Sequence, residues 1–316
     1  MTSQIKVPAL LPNKSSLWQE LKKNRLIYLL LSPFFVIFLC FILFPVVFSL
    51  VISFSKWDGI GEMEFVGLRQ YAFLLQDKDF WKSLSNTLII WLESTVPMLS
   101  FALVIAFLLN SRVVKGAKIL KSIYFLPNMT SVVAIAIIFS TIFGNHYGII
   151  NYVMRLLGFR PIPWLKRPDL LQVSIATLVV WRWMGYNAVI YLAGLQRIPN
   201  ELYEAAAIDG ASMTKMFTKI TIPLMNPIIL FTFITTTIGG MQIFTEAQML
   251  VEGTASRGGG MGAGSGGLTA VFFLYRLAFV YNQYSYASAV SWALFLMIAG
   301  LSFLSFLLLR RRNLED

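Results

Sequence analysis

Polar side chains recur at helical spacing inside long apolar stretches of this sequence. Thr235, Gly239, Gln242 and Glu246 are separated by four, three and four residues, so a continuous helix would carry them as one stripe. Polar groups are costly inside a bilayer and usually face the interior of a helix bundle or a water-filled cavity. This stripe could hydrogen-bond a polar solute, although packing between neighbouring helices explains Thr235 and Gly239 equally well.

A second polar group lies in the preceding apolar stretch. Arg182 and Tyr186 share one helix face, and Trp183 lies with Asn187 on the adjacent face. Hydrogen-bonding groups beside aromatic rings are the chemistry that holds a sugar ring. For Arg182 and Glu246, an ion pair with each other or a position near the membrane interface is an alternative to contact with a solute.

The remaining candidate residues occur singly. Asn128 follows Pro127 in a third apolar stretch and is predicted to border the same path. Glu93 lies near the middle of another stretch, where it could pair with a partner subunit. One cysteine, Cys40, and one histidine, His146, are too few for a disulfide framework or a Cys/His metal site. We therefore predict no catalytic residues and no metal ligands.

The sequence also lacks a nucleotide-binding loop of the Gly-x-x-x-x-Gly-Lys-Ser/Thr type. Residues 262–267 match Gly-x-Gly-x-x-Gly, but no strand is predicted before them and no Rossmann unit surrounds them. A flexible turn is the better interpretation of this motif. A docking role for residues 254–267 towards an external protein is a further hypothesis.

The elements that position these residues are membrane helices. Of 316 residues, 57% are apolar and 13% are charged, whereas soluble domains contain roughly 25% charged residues. The net charge of +11 does not indicate nucleic acid binding, because the Lys and Arg residues are spread between the apolar stretches, where they set membrane orientation.

Six stretches are long enough to cross a bilayer as helices, which requires about 20 apolar residues. They cover residues 26–54, 84–109, 123–143, 170–195, 222–250 and 284–309. A seventh stretch, 268–280, is too short to span and is predicted to be an interfacial or re-entrant helix. The segments between spans carry more Lys and Arg on one side, which places both termini in the cytoplasm.

The segment 198–223, between the fourth and fifth spans, reads as two short helices around a bend. Asn200 is predicted to cap the first helix, and Gly210 to supply its C-terminal turn. Ser212 is predicted to cap the second helix, and Pro223 to open the fifth span. A compact helix pair on the cytoplasmic side suits docking of another protein, while an amphipathic linker on the lipid headgroups is the alternative.

This segment resembles the EAA loop of binding-protein-dependent ABC importer permeases. The motif is Glu-Ala-Ala, three residues, Gly, nine residues, Ile, one residue, an aliphatic residue and Pro. The positions in register are Glu204, Ala205, Ala206, Gly210, Ile220 and Pro223. Ile222 stands where Leu is usual.

Other segments resemble the sugar-importing branch of the same family, which includes maltose-, glycerol-phosphate- and arabinosaccharide-type permeases. They include Asn86-Thr87 and the segments 124–127, 195–199 and 275–279. The polar residues of the spans also resemble cavity positions of the maltose-type permeases.

The resemblance implies roles for the loop residues. Glu204 and Asp209 would be polar docking contacts with an ATP-hydrolysing subunit. Ala205 and Ala206 would permit its close approach, and Gly210 would set the bend between the helices. Pro223 completes the coupling segment.

The resemblance also implies an all-α, polytopic membrane protein of the type I ABC importer (MetI-like) fold with six transmembrane helices. Residues 1–25 and 310–316 would be cytoplasmic, and 26–309 would form the permease domain with its coupling loop at 198–223. The expected partners are a homologous second permease, two ATP-binding cassette subunits that bind ATP and Mg²⁺, and an extracytoplasmic solute-binding protein. The expected location is the bacterial cell membrane.

The expected function is import of a sugar or oligosaccharide by alternating access, without enzymatic activity in this chain. Glycerol phosphate or another polar solute is the alternative cargo. A secondary transporter would not need an EAA-like loop, and the spans show no clear inverted repeat with matched broken helices. A membrane enzyme would need convergent acid, base or metal groups, which the spans lack.

Overall fold

The computed structural model describes residue 22 and residues 24–110, 116–145, 147–252 and 265–312. His146, most of the segment 1–25 and the end of the segment 310–316 lie outside the described residues. So do residues 254–264 of the predicted docking segment, which include the first half of the glycine-rich motif at 262–267. The chain divides into two compact units, Met1–Val51 and Ile52–Asp316.

The first unit contains most of the span Arg25–Ser53. Helix α1 (Arg25–Phe38) continues through a π-helical turn, Leu39–Leu43, into α2 (Phe44–Ser53). Pro45 has no N–H to donate, and its ring would clash with the carbonyl four residues earlier in a regular α-helix. A wider turn just before the proline accommodates the ring, so the apolar stretch remains a single span.

A short hairpin follows at the start of the second unit. Its two strands, β1 (Ser55–Lys56) and β2 (Glu64–Phe65), pair in antiparallel fashion. The register places Ser55 opposite Phe65 and Lys56 opposite Glu64. Helix α3 (Arg69–Gln76) then leads into the second span.

Two long helices, α4 (Lys78–Asn110) and α8 (Pro168–Leu195), form the most extensive helix pair of the second unit. Small side chains allow a close approach, since Ala102 of α4 and Ala188 of α8 belong to one buried cluster. Pro168 begins α8, a position at which the missing N–H would have no helical partner in any case.

The third predicted stretch, 123–143, is a bent pair rather than one straight helix. Helices α5 (Ala117–Met129) and α6 (Val132–Ile142) meet at an angle of 95°. Thr130, directly after α5, is extended, with φ −81° and ψ 148°. An extended residue ends the helical hydrogen-bond ladder, so the chain changes direction there. Helix α7 (Ile149–Leu156) follows.

The segment between the fourth and fifth spans contains two helices, as predicted. Helix α9 (Asn200–Ile208) is followed by α10 (Met213–Met216). A π-helical turn, Phe217–Thr221, joins α10 to α11 (Ile222–Met241), and together they form one continuous helix over Met213–Met241.

The fifth predicted stretch, 222–250, is broken. Helix α11 ends at Met241, and a separate helix α12 (Thr245–Glu252) begins after three non-helical residues. Helix α13 (Ala270–Phe279) has only 10 residues and packs Phe272 and Phe273 into the core, so it does not span. Helix α14 (Tyr284–Arg312) is the last span.

The predicted all-α membrane architecture is confirmed. Within the described residues, five helices are long and apolar enough to cross a membrane, and the bent pair makes up to six spans. The five are Arg25–Ser53, Lys78–Asn110, Pro168–Leu195, Met213–Met241 and Tyr284–Leu307.

A buried polar network fixes the loop before α13 to the central helices. Asn86 of α4 is fully buried, and its Nδ2 donates to the carbonyl oxygens of Ser265 (2.6 Å) and Leu268 (3.0 Å). Its Oδ1 accepts from Nε2 of Gln172 on α8 at 2.9 Å. The neighbouring Thr87 hydroxyl accepts from the first backbone N–H of α13 at 2.8 Å. Asn86 and Thr87 therefore have a structural role.

We expect Asn86→Ala to lower the free energy of unfolding by about 2–4 kcal/mol, because it leaves two carbonyls and an amide without their partner. Ser100→Ala is a suitable control, since the exposed Ser100 hydroxyl donates only within its own helix, to the Val96 carbonyl. Thermal unfolding of the detergent-purified proteins measures both. Equal stability of the two variants would contradict the role of the network.

Candidate functional site

The bend between α9 and α10 is built by local hydrogen bonds. Gly210 has φ +72°, a conformation that glycine adopts without strain. Its N–H donates to the Ala207 carbonyl (3.1 Å), and the Ala211 N–H donates to the Ala206 carbonyl (2.9 Å). These two bonds form a Schellman motif, which ends α9 sharply. The predicted role of Gly210 in the turn is confirmed.

The second helix of the bend begins at a side-chain cap. The Ser212 hydroxyl accepts from the Lys215 backbone N–H at 3.3 Å, as predicted. The predicted cap at Asn200 is wrong, because Pro199 occupies the N-cap position and Asn200 is already the first helical residue. Pro223 lies in the first turn of α11, as predicted, but the span does not begin there, because the helix continues back to Met213.

Two side-chain contacts connect this helix pair to the spans. The Tyr203 hydroxyl on α9 lies 2.9 Å from the Thr221 hydroxyl, at the end of the π-helical turn. The ring of Phe217 lies 5.0 Å from the ring of Phe107 near the end of α4. Motion of the bend would therefore reach both the fifth and the second span.

The outer surface of the bend is open to a partner. Glu204, Ala205, Asp209 and Gly210 are exposed, Ala206 is half-buried, and α9 has no buried residue. Sequence reasoning missed the apolar side chains of this surface. Ile208 is 86% exposed, and Leu202 and Met213 are also exposed. The available signal was a large aliphatic residue, Ile208, placed between the alanine run that ends at Ala207 and the charged Asp209.

A cavity of about 430 Å³ lies between α4, α8, α11 and α12. Its volume is within the range of small-molecule sites, roughly 300–1,000 Å³. The wall consists of Ser94, Thr95, Met98, Val179, Trp183, Tyr186, Asn187, Ile190, Phe231, Thr235, Thr236, Gly239, Gly240, Gln242, Ile243 and Glu246. The structure thus brings together seven residues of the two predicted polar groups, namely Trp183, Tyr186, Asn187, Thr235, Gly239, Gln242 and Glu246.

Gln242 and Glu246 line this cavity from beyond the end of α11, and not from one continuous helix as predicted. The predicted single stripe is wrong in its geometry, because α11 ends at Met241 and Glu246 lies on α12. Gly240 lies against Trp91, where an added Cβ would be 2.5 Å from Cδ1 of the indole ring. A Cβ on Gly239 would meet nothing within 4 Å, because this glycine faces the open cavity.

Arg182 and Glu246 form an ion pair. Nη1 of Arg182 lies 2.6 Å from Oε1 of Glu246, and the two side chains are 17% and 11% exposed. The guanidinium also lies 5.2 Å from the Trp183 ring centroid. Of the alternatives left open by the sequence, the structure shows the ion pair. It fixes α12 to α8 and neutralises the carboxylate that borders the cavity.

Two predicted residues lie apart from this arrangement. Asn128 is half-buried near the end of α5 and does not line the cavity. Glu93 is exposed on α4 within its span, and its pairing with a partner subunit stays a prediction. Sequence reasoning missed Ser94, Thr95 and Thr236, although hydroxyl residues inside an apolar span were a usable signal.

Comparison with known proteins identifies membrane permeases of binding-protein-dependent transport systems as relatives of this chain. Residues 98–312 match the family described as binding-protein-dependent transport system inner membrane component. The chain is 37% identical to the lactose transport system permease protein of Rhizobium radiobacter, over 90% of this chain and 94% of that protein. It is 36% identical to the arabinooligosaccharides transport system permease protein of Bacillus subtilis, over 92% and 91% of the two chains.

A solved structure shares the fold. A chain of a bacterial alginate ABC transporter, crystallised with an alginate pentasaccharide-bound periplasmic protein, superposes with a TM-score of 0.81 at 22% identity. The match covers 95% of this chain and 99% of that one.

Proposed function

The chain belongs to the family of binding-protein-dependent transport system inner membrane components, and on that premise we propose that it carries a sugar or oligosaccharide across the membrane. It is a permease subunit of an ABC importer. The observation that carries the choice of solute is the cavity, whose wall combines hydroxyl and amide groups with the aromatic rings of Trp183, Tyr186 and Phe231. Relatives named for lactose and arabinooligosaccharides support the same choice.

In this proposal the cavity is one wall of the solute path. Tyr186 and Gln242 are exposed to it, and neither side chain makes a hydrogen bond within the described residues. Their free polar groups would bind a sugar, while Gly239 leaves room for it. Arg182 would act through Glu246 by holding α12 in place. Asn128 would contact the solute only if the bent third span adopted another conformation.

The bend formed by α9 and α10 would receive the motion of an ATPase subunit. Glu204 and Asp209 would make polar contacts, and Ala205 and Ala206 would allow close approach. Exposed Ile208 would fill an apolar pocket of that partner. ATP and Mg²⁺ would be bound by two such partner subunits, so this chain would hydrolyse nothing itself.

A second permease subunit would complete the path, and an extracytoplasmic solute-binding protein would deliver the sugar. The excess of Lys and Arg on one side supports cytoplasmic termini in a bacterial cell membrane. Residues 26–309 would then be the permease domain, with cytoplasmic segments at 1–25 and 310–316 and the coupling loop at 198–223.

Purification of the tagged chain from its native membrane tests the proposal. We expect an ATPase subunit and a second permease to co-purify, and proteoliposomes of the complex to accumulate a labelled sugar only with internal ATP and the solute-binding protein. Uptake that needs no ATPase, or a complex without one, would overturn it.

Tyr186→Ala and Gln242→Ala are expected to raise the KM for uptake by about five- to tenfold each, because each removes roughly 1–1.5 kcal/mol of hydrogen bonding or stacking to the solute. Thermal stability should change little, since both side chains are exposed to the cavity. Tyr147→Ala, at a tyrosine that is 93% exposed outside the cavity, is the control. An unchanged KM in both cavity variants would contradict the proposal that this cavity lines the solute path.

A further inference from the structure

Three hydroxyl groups in the cavity wall donate their protons to backbone carbonyls of the helices that carry them. The Ser94 hydroxyl donates to the Ile90 carbonyl at 2.7 Å. On α11, the Thr235 hydroxyl donates to the Phe231 carbonyl at 2.9 Å, and the Thr236 hydroxyl donates to the Thr232 carbonyl. Each hydroxyl therefore offers the cavity only the lone pairs of its oxygen.

The buried side-chain amide of Asn187 also uses its donor within the protein and leaves its oxygen for the cavity. Nδ2 of Asn187 donates to the Trp183 carbonyl at 3.1 Å and contacts Sδ of Met98 at 3.8 Å. No donor reaches Oδ1 of Asn187 within the described residues, so this oxygen is an acceptor for a bound solute.

Within the part of the chain that the structure describes, no free cation lines the cavity to compensate for this excess of acceptors. Among the described residues that line the cavity, Glu246 is the only one with a charge. Its carboxylate is held by Arg182 at 2.6 Å, and the guanidinium is turned to that partner instead of lining the cavity. The side-chain donors left for a solute are the hydroxyls of Tyr186 and Thr95, the Gln242 amide and the Trp183 indole N–H, all of them uncharged.

A carboxylate, phosphate or sulfonate in such a site would lose its hydration among oxygen lone pairs and would receive only a few uncharged donors, with no cation, in exchange. A neutral sugar has many O–H groups that donate to these oxygens, and its ring and ether oxygens need only a few donors. We propose that this subunit's part of the path selects neutral polyhydroxylated solutes and rejects sugars that carry an anionic group. The inference rests on the proposed function, and it decides against glycerol phosphate as cargo.

The test uses the detergent-purified importer complex without its solute-binding protein, so that only the path selects. The probes are neutral disaccharides (lactose, maltose and arabinobiose) and a monosulfated form of each, titrated by calorimetry. We expect at least about tenfold weaker binding of the sulfated forms, equivalent to ~1.4 kcal/mol. Equal or tighter binding of the sulfated forms would overturn the inference but leave the proposed function standing. Failure of every sugar to bind or to be transported would contradict both the inference and the proposed function.

A variant that creates a free cation gives the converse test. Glu246→Gln leaves the Arg182 guanidinium without its carboxylate, and we expect it to improve binding of the sulfated disaccharides by about tenfold or more. The double variant Glu246→Gln with Arg182→Gln should lose that gain. Because an unpaired buried arginine endangers folding, Thr235→Lys on the exposed part of the wall is the second variant, with the same expected gain. No gain in any folded variant would contradict the inference.

Discussion

Replacing Gly210 by proline is expected to abolish solute uptake while leaving a normal amount of protein in the membrane. Proline fixes φ near −65° and has no N–H, whereas Gly210 has φ +72° and donates to the Ala207 carbonyl. The bend must therefore rearrange, and α9 would no longer meet a partner in one geometry. Uptake should fall by about 100-fold, the upper end of the coupling between linked sites.

The chain offers a closely matched control for this substitution. Gly158 ends α7 with the same pair of bonds, since its N–H donates to the Arg155 carbonyl (3.0 Å) and the Phe159 N–H donates to the Met154 carbonyl (2.8 Å). Its φ is +82°, and it is exposed. Gly158→Pro should retain most uptake. Equal loss in both variants, or ATPase activity still coupled to solute in Gly210→Pro, would contradict a coupling role for the bend.

Local chemistry explains which features of the bend the sequence predicted. The Gly210 turn and the Ser212 cap each depend on one residue type and its immediate neighbours, so both are confirmed. The Asn200 cap failed for a local reason as well. Pro199 adopts φ −57° and ψ 131°, which makes it the last non-helical residue and leaves Asn200 inside the helix.

The cavity depends on contacts that no local pattern contains. Arg182 and Glu246 are 64 residues apart in sequence. The sequence alone therefore left their ion pair as one of several alternative roles for these two residues. The stretch 222–250 is predominantly apolar, so hydropathy did not predict that α11 ends at Met241. The adjacent Gly239 and Gly240, which are weak helix formers, were the available signal. The hydropathy pattern indicates how much of the chain lies in the membrane, but not where a span breaks.

Gly185→Ala is expected to have the largest effect on folding of any single methyl group added to the cavity-forming helices. A Cβ at Gly185 on α8 would overlap the carbonyl of Tyr124 on α5. A backbone atom cannot rotate away as a side chain can, so the two helices would have to separate. We expect the free energy of unfolding to fall by about 3 kcal/mol or more, the upper end of overpacking costs.

Gly300→Ala is the matched control, because a Cβ at Gly300 on α14 meets nothing within 4 Å. Alanine is a better helix former than glycine, so this variant should be neutral or slightly more stable, by up to about 1 kcal/mol. Thermal unfolding in detergent, with immunoblots of membrane fractions, distinguishes the two variants. Gly185 directly precedes Tyr186 in the cavity wall, so the contact that excludes a methyl group here also sets where α8 presents its cavity-facing tyrosine ring. Wild-type stability of Gly185→Ala would mean that α5 and α8 are not held at this distance.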